Sequence, residues 1–225
     1  MRKNRTLQLI YQTIYCTLGL VGCVACLGIF DDITMFRWDF YVYFTNLSNF
    51  LCLAVMVLGL IQTISKKEDS YVSAAPLLKF IGMLGILLTF LVFNLLLAGA
   101  EGRDPQLNWR IGSICFHVVL PLMYIADWFI FYERKQCKWH YPIASIAFPL
   151  GYAIFLLIQA IILKFDSSIL TPTGGGSLIY PYFFVNLDTQ GVLGVLMWIA
   201  ILTVGFVALG FVFFGLDKLT KQNKK

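Results

Sequence analysis

Polar side chains that could take part in chemistry recur along an apolar stretch between residues 40 and 63. Their spacing of three or four residues places them on one face of a helix, and they are Tyr41, Thr45, Ser48, Asn49 and Cys52. Polar groups are costly in an apolar environment, so this face is expected to point toward other helices. The Thr45 hydroxyl becomes a nucleophile only if a base lies beside it.

A second apolar stretch, between residues 110 and 132, carries a similar face made of Ser113, His117, Tyr124 and Asp127. Pro121 follows His117 by four residues and has no N–H, so the His117 carbonyl lacks its usual helical donor. An imidazole beside a hydroxyl is the minimum for nucleophilic acyl transfer. The imidazole takes the hydroxyl proton and later returns it to the leaving group.

Depth in the membrane tests whether the two groups can meet. At 1.5 Å of rise per residue, Thr45 lies about 9 Å below the boundary near Asp39, and His117 lies about 10 Å below Arg110. We therefore expect Thr45 and His117 at matching depth. Asp127 lies about 15 Å further along its helix, too far to orient His117, and is expected to serve the opposite end of the bundle.

The elements that must position these groups are membrane helices. The chain is 59% hydrophobic and 13% charged with a mean hydropathy of +0.79, which excludes a water-soluble fold. A span needs about 20 apolar residues, and no stretch alternates as barrel strands do. We predict an all-α integral membrane protein, a bundle of six transmembrane helices forming one domain over 1–225, with spans 8–30, 40–63, 77–99, 110–132, 142–164 and 190–214.

The distribution of lysine and arginine predicts the orientation. Of the 17 basic residues, the ends of the chain and the connections after the second and fourth spans carry most, which favours cytoplasmic termini and a bacterial cytoplasmic membrane. The net charge of +5 then reflects topology rather than nucleic-acid binding. The first span follows a basic segment, so a cleaved signal peptide stays open beside a retained helix, which the length of the apolar stretch favours.

Other polar residues could contribute to the interior or simply join helices. Asn94 in the third span and Ser145, Tyr152 and Gln159 in the fifth fit either role. The segment 165–189 combines three consecutive glycines with the aromatic run YPYFF, and could cap an outward-facing cavity or serve only as a connector.

Four short motifs give the chain a resemblance to a known family. They are YFTNLSNFL (43–51), FHVVLPLMYIAD (116–127), YP (141–142) and YPYF (180–183), in matching order along the six spans. The chain resembles the androgen-induced-gene-like six-span membrane proteins, which include the androgen-dependent TFPI-regulating protein, and is most similar to their bacterial predicted six-transmembrane (Pr-six-Pr) branch. This resemblance implies a threonine hydrolase that cleaves fatty acid esters of hydroxy fatty acids, with Thr45 as nucleophile and His117 as base.

Supporting roles are assigned as hypotheses. Asn49 and Ser113 could donate to an oxyanion or to the imidazole, and Ser48, Asn94 and Tyr124 could support the site. We expect no cofactor and no metal, since His117 and His140 are predicted on opposite sides of the membrane. The expected partners are a lipid or fatty acyl ester substrate and membrane lipids, with no nucleic acid and the oligomeric state open.

Two other classes of protein stay open. A non-catalytic membrane protein could use the same interior to bind or transport a lipid or small molecule, and a structural or regulatory subunit would need no activated threonine. Unbroken spans and few embedded charges argue against an ion-coupled transporter.

Overall fold

The protein folds as a set of helices that matches the predicted class. A computed structural model describes residues 4–26, 38–65, 73–99, 105–165 and 179–219, and these ranges contain helices and no β-strand. Six of the helices are long and apolar enough to cross a membrane, which confirms the six predicted spans. Residues 27–30 of the predicted first span and 166–178 of the glycine-rich segment lie outside the described residues.

The spans have the following bounds. They are Arg5–Cys26, Phe44–Ser65, Pro76–Val92 continued by Phe93–Leu97, Ile111–Ile114 continued by Cys115–Val119 and Leu120–Ile130, Tyr141–Ala144 followed by Ala147–Phe165, and Leu187–Leu219. Short 3₁₀ turns occur at Trp38–Val42, Pro105–Trp109 and Phe183–Val185. The sixth span extends past the predicted 190–214 at both ends, and Gly191, with a φ of 64°, interrupts its first part.

The third and fourth spans each contain a π-helical turn, so the expectation of unbroken spans is wrong. The Ala98 N–H donates to the Phe93 carbonyl at 2.7 Å, and the Leu120 N–H donates to the Cys115 carbonyl, five residues back in each case. Pro121 comes directly after the second turn and has no N–H of its own. Turns of this kind are frequent at functional sites.

Two packed regions hold the bundle together. The larger joins the first four spans, the start of the fifth and the sixth around Tyr15, Phe80, Tyr124 and Trp128, all of them buried. The smaller joins the start of the second span to the fifth span and the segment before the sixth, through Val42, Phe44, Leu156, Tyr182, Phe184 and Val185. The fourth span also packs closely on the first, because a Cβ added at Gly22 would lie 2.3 Å from the Phe116 ring.

The end of the bundle remote from Thr45 holds charged groups. Lys79 pairs with Asp127, and their side chains are 6% and 5% exposed. This agrees with the expectation that Asp127 serves that end. The sequence indicated few embedded charges, however, and did not predict a buried ion pair here. Asp217 near the end of the sixth span is fully buried and accepts hydrogen bonds from the N–H groups of Lys135 at 2.9 Å and Cys137 at 3.1 Å. The connection between the fourth and fifth spans is thereby fixed to the sixth.

Candidate active site

Thr45 is the second residue of the second span, so its position is set by the first helical turn. The Thr45 carbonyl accepts hydrogen bonds from the Ser48 hydroxyl at 3.0 Å and from Asn49 Nδ2 at 2.8 Å. Ser48 and Asn49 are both buried. These two contacts hold the backbone at Thr45. Neither of them uses the Thr45 side chain, which is half-buried.

The structure brings Thr45 and His117 together, as the depth comparison predicts. Thr45 Oγ1 lies 3.3 Å from His117 Nε2, within hydrogen-bonding distance. Both side chains are half-buried. The pairing is therefore confirmed in the structure, and Asp127 takes no part in it.

The contacts of the other ring nitrogen of His117 determine which of the two nitrogens carries the proton in the neutral ring. His117 Nδ1 lies 2.9 Å from the Ser113 carbonyl oxygen and 3.2 Å from the Ser113 hydroxyl. A carbonyl can only accept, so Nδ1 carries the proton in the neutral ring. Nε2 then carries the lone pair and accepts from the Thr45 hydroxyl, which is the arrangement a general base needs. A backbone carbonyl here occupies the position that a carboxylate holds in many hydrolases.

The two π turns hold the His117 ring and its backbone. The Phe93 ring stacks on the imidazole with centroids 3.5 Å apart and planes at 13°. Asn94 Nδ2 donates to the Phe90 carbonyl at 2.7 Å and to the His117 carbonyl at 3.4 Å. Pro121 leaves that carbonyl without a helical donor, and Asn94 from the neighbouring span supplies one. Asn94 thus positions the base and does not reach the nucleophile.

Asn49 and Ser48 also join helices. The Asn49 amide donates to the Thr45 carbonyl and, at 3.1 Å, to the Phe116 carbonyl, so both of its hydrogens are used. Within the described residues its Oδ1 is buried with no hydrogen-bond partner. The Ser48 hydroxyl lies 2.7 Å from that of Thr89. Asn49 therefore has no hydrogen left for an oxyanion in this arrangement.

Tyr124 does not join this group, although helical periodicity predicts it on the same face as His117. Its hydroxyl donates to the Lys79 carbonyl at 3.4 Å, and Lys79 Nζ lies 4.1 Å from the centre of its ring. The π turn between His117 and Tyr124 changes the rotational phase of the helix, which carries Tyr124 into the core around Lys79.

An apolar cavity, open on one side, adjoins Thr45 and has about 80 Å³ of space for the centres of water-sized molecules. Its walls come from the second, third, fifth and sixth spans, with Leu88, Val92, Leu97, Leu150, Ile199 and Leu202 among the apolar residues. Leu150 at its edge is 39% exposed and belongs to a span whose outer surface is apolar. The cavity suits an alkyl chain and opens among membrane helices.

The cavity is capped by the aromatic segment before the sixth span. Tyr182, Phe184 and Val185 line it, which supports the capping alternative for the run YPYFF. The Tyr182 hydroxyl accepts a hydrogen bond from the Phe44 N–H at 3.1 Å and lies beside the Thr45 side chain and N–H. Burial raises the pKa of the Tyr182 hydroxyl, which therefore keeps its proton near neutral pH.

Tyr182 was not among the predicted site residues. The sequence showed its aromatic cluster, but it predicted for the whole segment only a cap over a cavity or a connector, and no contact with Thr45. Its neighbour Tyr152 donates its own proton to the Val42 carbonyl at 2.5 Å, which ties the fifth span to the residues before Thr45.

In the ranges that the structure describes, no group of three or more histidine, cysteine, aspartate or glutamate residues could hold a metal ion. The available chemistry is that of a hydroxyl, an imidazole and neutral hydrogen-bond donors beside an apolar cavity. Comparisons of the chain with protein-family models, with curated proteins and with solved structures give no match. Function is therefore inferred from the residues themselves.

Proposed function

We propose that the chain is an intramembrane threonine hydrolase that cleaves lipid esters, such as fatty acid esters of hydroxy fatty acids. We also propose that it belongs to the six-span family that its motifs resemble. The observation that carries the proposal is the 3.3 Å contact between Thr45 Oγ1 and a His117 ring whose proton is held on the far nitrogen by the Ser113 carbonyl.

The reaction follows from this geometry. His117 Nε2 takes the Thr45 proton while Oγ1 bonds to the ester carbonyl carbon. The alcohol then leaves with the proton from His117, and an acyl-threonine remains. Water releases the acid by the same steps, with His117 removing a proton from the water and returning it to Thr45 Oγ1. The acyl chain occupies the cavity beside Thr45.

The test compares active-site variants with matched controls from the same chain. Purified wild-type protein is treated with a fluorophosphonate probe and assayed with p-nitrophenyl esters, alongside Thr45→Ala and His117→Ala. Thr63→Ala and His140→Ala are the controls, because Thr63 lies near the other end of the span that carries Thr45, away from the cavity, and His140 lies outside the spans.

We expect labelling to be lost in Thr45→Ala, and the rate to fall about 10²- to 10⁴-fold in His117→Ala, which is the usual contribution of a general base. Both controls should stay within threefold of the wild type. Labelling that persists without the Thr45 hydroxyl, or a folded wild-type protein that never reacts, would contradict the proposal.

The cavity itself favours a second candidate, a protein that binds or transports a lipid or small molecule without chemistry. The cavity's apolar walls would serve that role equally well. Native mass spectrometry distinguishes the two. A carrier retains intact ester in both wild type and Thr45→Ala, whereas a hydrolase retains it only in Thr45→Ala and releases acid in the wild type.

We further propose that both termini are cytoplasmic in a cell membrane, on the strength of the lysine and arginine distribution. Thr45 and His117 then lie in the outer half of the membrane. Reporter fusions at the two termini and after the third and fifth spans test this orientation. Activity of a periplasmic reporter at either terminus would contradict it.

A further inference from the structure

We propose that the Tyr182 hydroxyl donates the hydrogen bond that stabilises the oxyanion formed when Thr45 attacks an ester. This inference rests on the proposed hydrolase activity and adds a catalytic residue to it. The oxyanion forms on the atom bonded to the carbon that Oγ1 attacks, so its donor must lie beside Oγ1, about 2.7–3.1 Å from the oxyanion. Tyr182 neighbours the Thr45 side chain and lines the same cavity.

The direction of the Tyr182 hydrogen bond is set by the second span. The Phe44 N–H donates to the Tyr182 oxygen at 3.1 Å, so the tyrosine accepts from the helix and its own hydrogen is directed elsewhere. The N-terminus of a helix carries partial positive charge. A hydroxyl whose oxygen is bound there becomes a stronger donor, and negative charge that develops beside it is stabilised.

Neighbouring groups leave the Tyr182 hydrogen available. The Tyr182 hydroxyl is hydrogen-bonded to the side chains of Tyr152 and Thr45. Tyr152 donates its own proton to the Val42 carbonyl at 2.5 Å, so its oxygen accepts from Tyr182. That contact provides a resting partner which the oxyanion can replace. The Tyr182 ring is held by parallel stacking on Phe184, with centroids 5.0 Å apart and planes at 5°.

The donors expected from the sequence are less suited to this role. Both Asn49 hydrogens are bound to carbonyls of Thr45 and Phe116. Ser113 contacts Nδ1, on the side of the imidazole away from Thr45.

In the proposed step, the Oγ1–carbon bond forms as His117 takes the threonine proton, and the carbonyl electron pair moves onto oxygen. Tyr182 donates a hydrogen bond to that oxygen and keeps its proton. When the electron pair returns, the carbon–alkoxy bond breaks and the alcohol takes the proton from His117. The burial that raises the Tyr182 pKa keeps the hydroxyl a donor throughout.

The experiment uses the full-length protein in detergent and compares Tyr182→Phe with Tyr11→Phe, which removes a tyrosine hydroxyl that donates to the Met123 carbonyl and does not line the cavity. Two inhibitors are measured. An alkyl trifluoromethyl ketone forms a hemiketal oxyanion with Thr45, and the methyl ketone of equal chain length binds without an adduct. Hydrolysis of a p-nitrophenyl ester gives kcat and KM.

For Tyr182→Phe we expect the affinity for the trifluoromethyl ketone to fall about 10²-fold, which is the usual effect of losing one oxyanion donor. The affinity for the methyl ketone and the KM for the ester should both stay within threefold of the wild-type values. The kcat should fall in parallel at every pH, since a neutral donor leaves the titration of His117 unchanged. Tyr11→Phe should stay within threefold of the wild type.

Unchanged affinity of Tyr182→Phe for the trifluoromethyl ketone overturns this inference while the hydrolase stands, and so does an equal loss for both ketones. A wild-type protein that forms no adduct overturns the hydrolase and this inference with it. If Tyr182→Phe does not fold, replacement of Tyr182 by 3,5-difluorotyrosine tests the same role. That protein must lose activity at a lower pH than the wild type as its more acidic hydroxyl ionises, and an unshifted profile counts against Tyr182.

Discussion

Replacing Lys79 by methionine should destabilise the protein more than replacing Asp127 by asparagine. Lys79 and Asp127 form a buried pair through Asp127 Oδ2, and within the described residues Asp127 Oδ1 has no hydrogen-bond partner. Removing one partner of such a pair costs about 3–5 kcal/mol, because the remaining charge is left buried. The two single variants are not equivalent, however, since the side chains differ in reach.

Lys79 is the fourth residue of its span, about 4.5 Å from the helix start, so a lysine freed by Asp127→Asn can extend its ammonium to the membrane surface. The short Asp127 side chain has no such escape in Lys79→Met. We expect a loss of about 3–5 kcal/mol for Lys79→Met and about 1–3 kcal/mol for Asp127→Asn. The double variant Lys79→Met, Asp127→Leu should return to within about 1 kcal/mol of the wild type, since apolar replacement of a buried pair is often neutral.

The assay is equilibrium unfolding of purified protein in mixed micelles of increasing SDS mole fraction, followed by far-ultraviolet circular dichroism. Lys164→Met is the matched control, because its partner Asp188 is exposed and the pair should not affect the free energy of unfolding measurably. A double variant no more stable than Lys79→Met, or a larger loss for Asp127→Asn than for Lys79→Met, would refute the reasoning.

Three further outcomes are expected. Ser113→Ala should keep ester hydrolysis within threefold of the wild type, because the backbone carbonyl at 2.9 Å still binds His117 Nδ1; a loss above tenfold would show that the hydroxyl is the orienting group. Phe93→Ala should lower kcat about tenfold with little change in KM, since the His117 ring loses its stacking partner; kcat equal to that of the wild type would show that Ser113 alone orients the base. Burial raises the pKa of Cys137 to about 12, so its thiol should resist N-ethylmaleimide at pH 8 until the protein unfolds, and the associated stability should be lost as pH rises from about 9 to about 12; rapid modification in the folded protein would contradict this.

Residue spacing and hydropathy were sufficient to predict the six spans and the pairing of Thr45 with His117. Both follow from distances along a helix axis, and axial distance changes little when a helix is locally irregular. The same holds for the exclusion of Asp127 from the site. Depth along the membrane normal is therefore the quantity that this sequence specified best.

Rotation about the helix axis was less predictable. Tyr124 was grouped with His117 on a regular 3.6-residue period, and the π turn at Cys115–Val119 changes that phase between the two residues. No residue type in the turn signals it except Pro121, which was recognised only for its missing N–H. Tyr182 was missed for another reason, since it reaches the Phe44 N–H beside Thr45 from 138 positions away in the sequence and no periodic pattern links the two.

The cavity mouth among the spans also determines how occupancy should be measured. An apolar occupant that enters past Leu150 comes from the bilayer, so the relevant concentration is its mole fraction among lipids. When the protein is in lipid vesicles, adding inert lipid should then lower the occupancy of the cavity, because the occupant is diluted within the bilayer. Adding buffer should leave that occupancy unchanged. For the proposed hydrolase or carrier, half-saturation is therefore a property of membrane composition, and two membranes that hold the same total amount of ligand can fill the cavity to different extents.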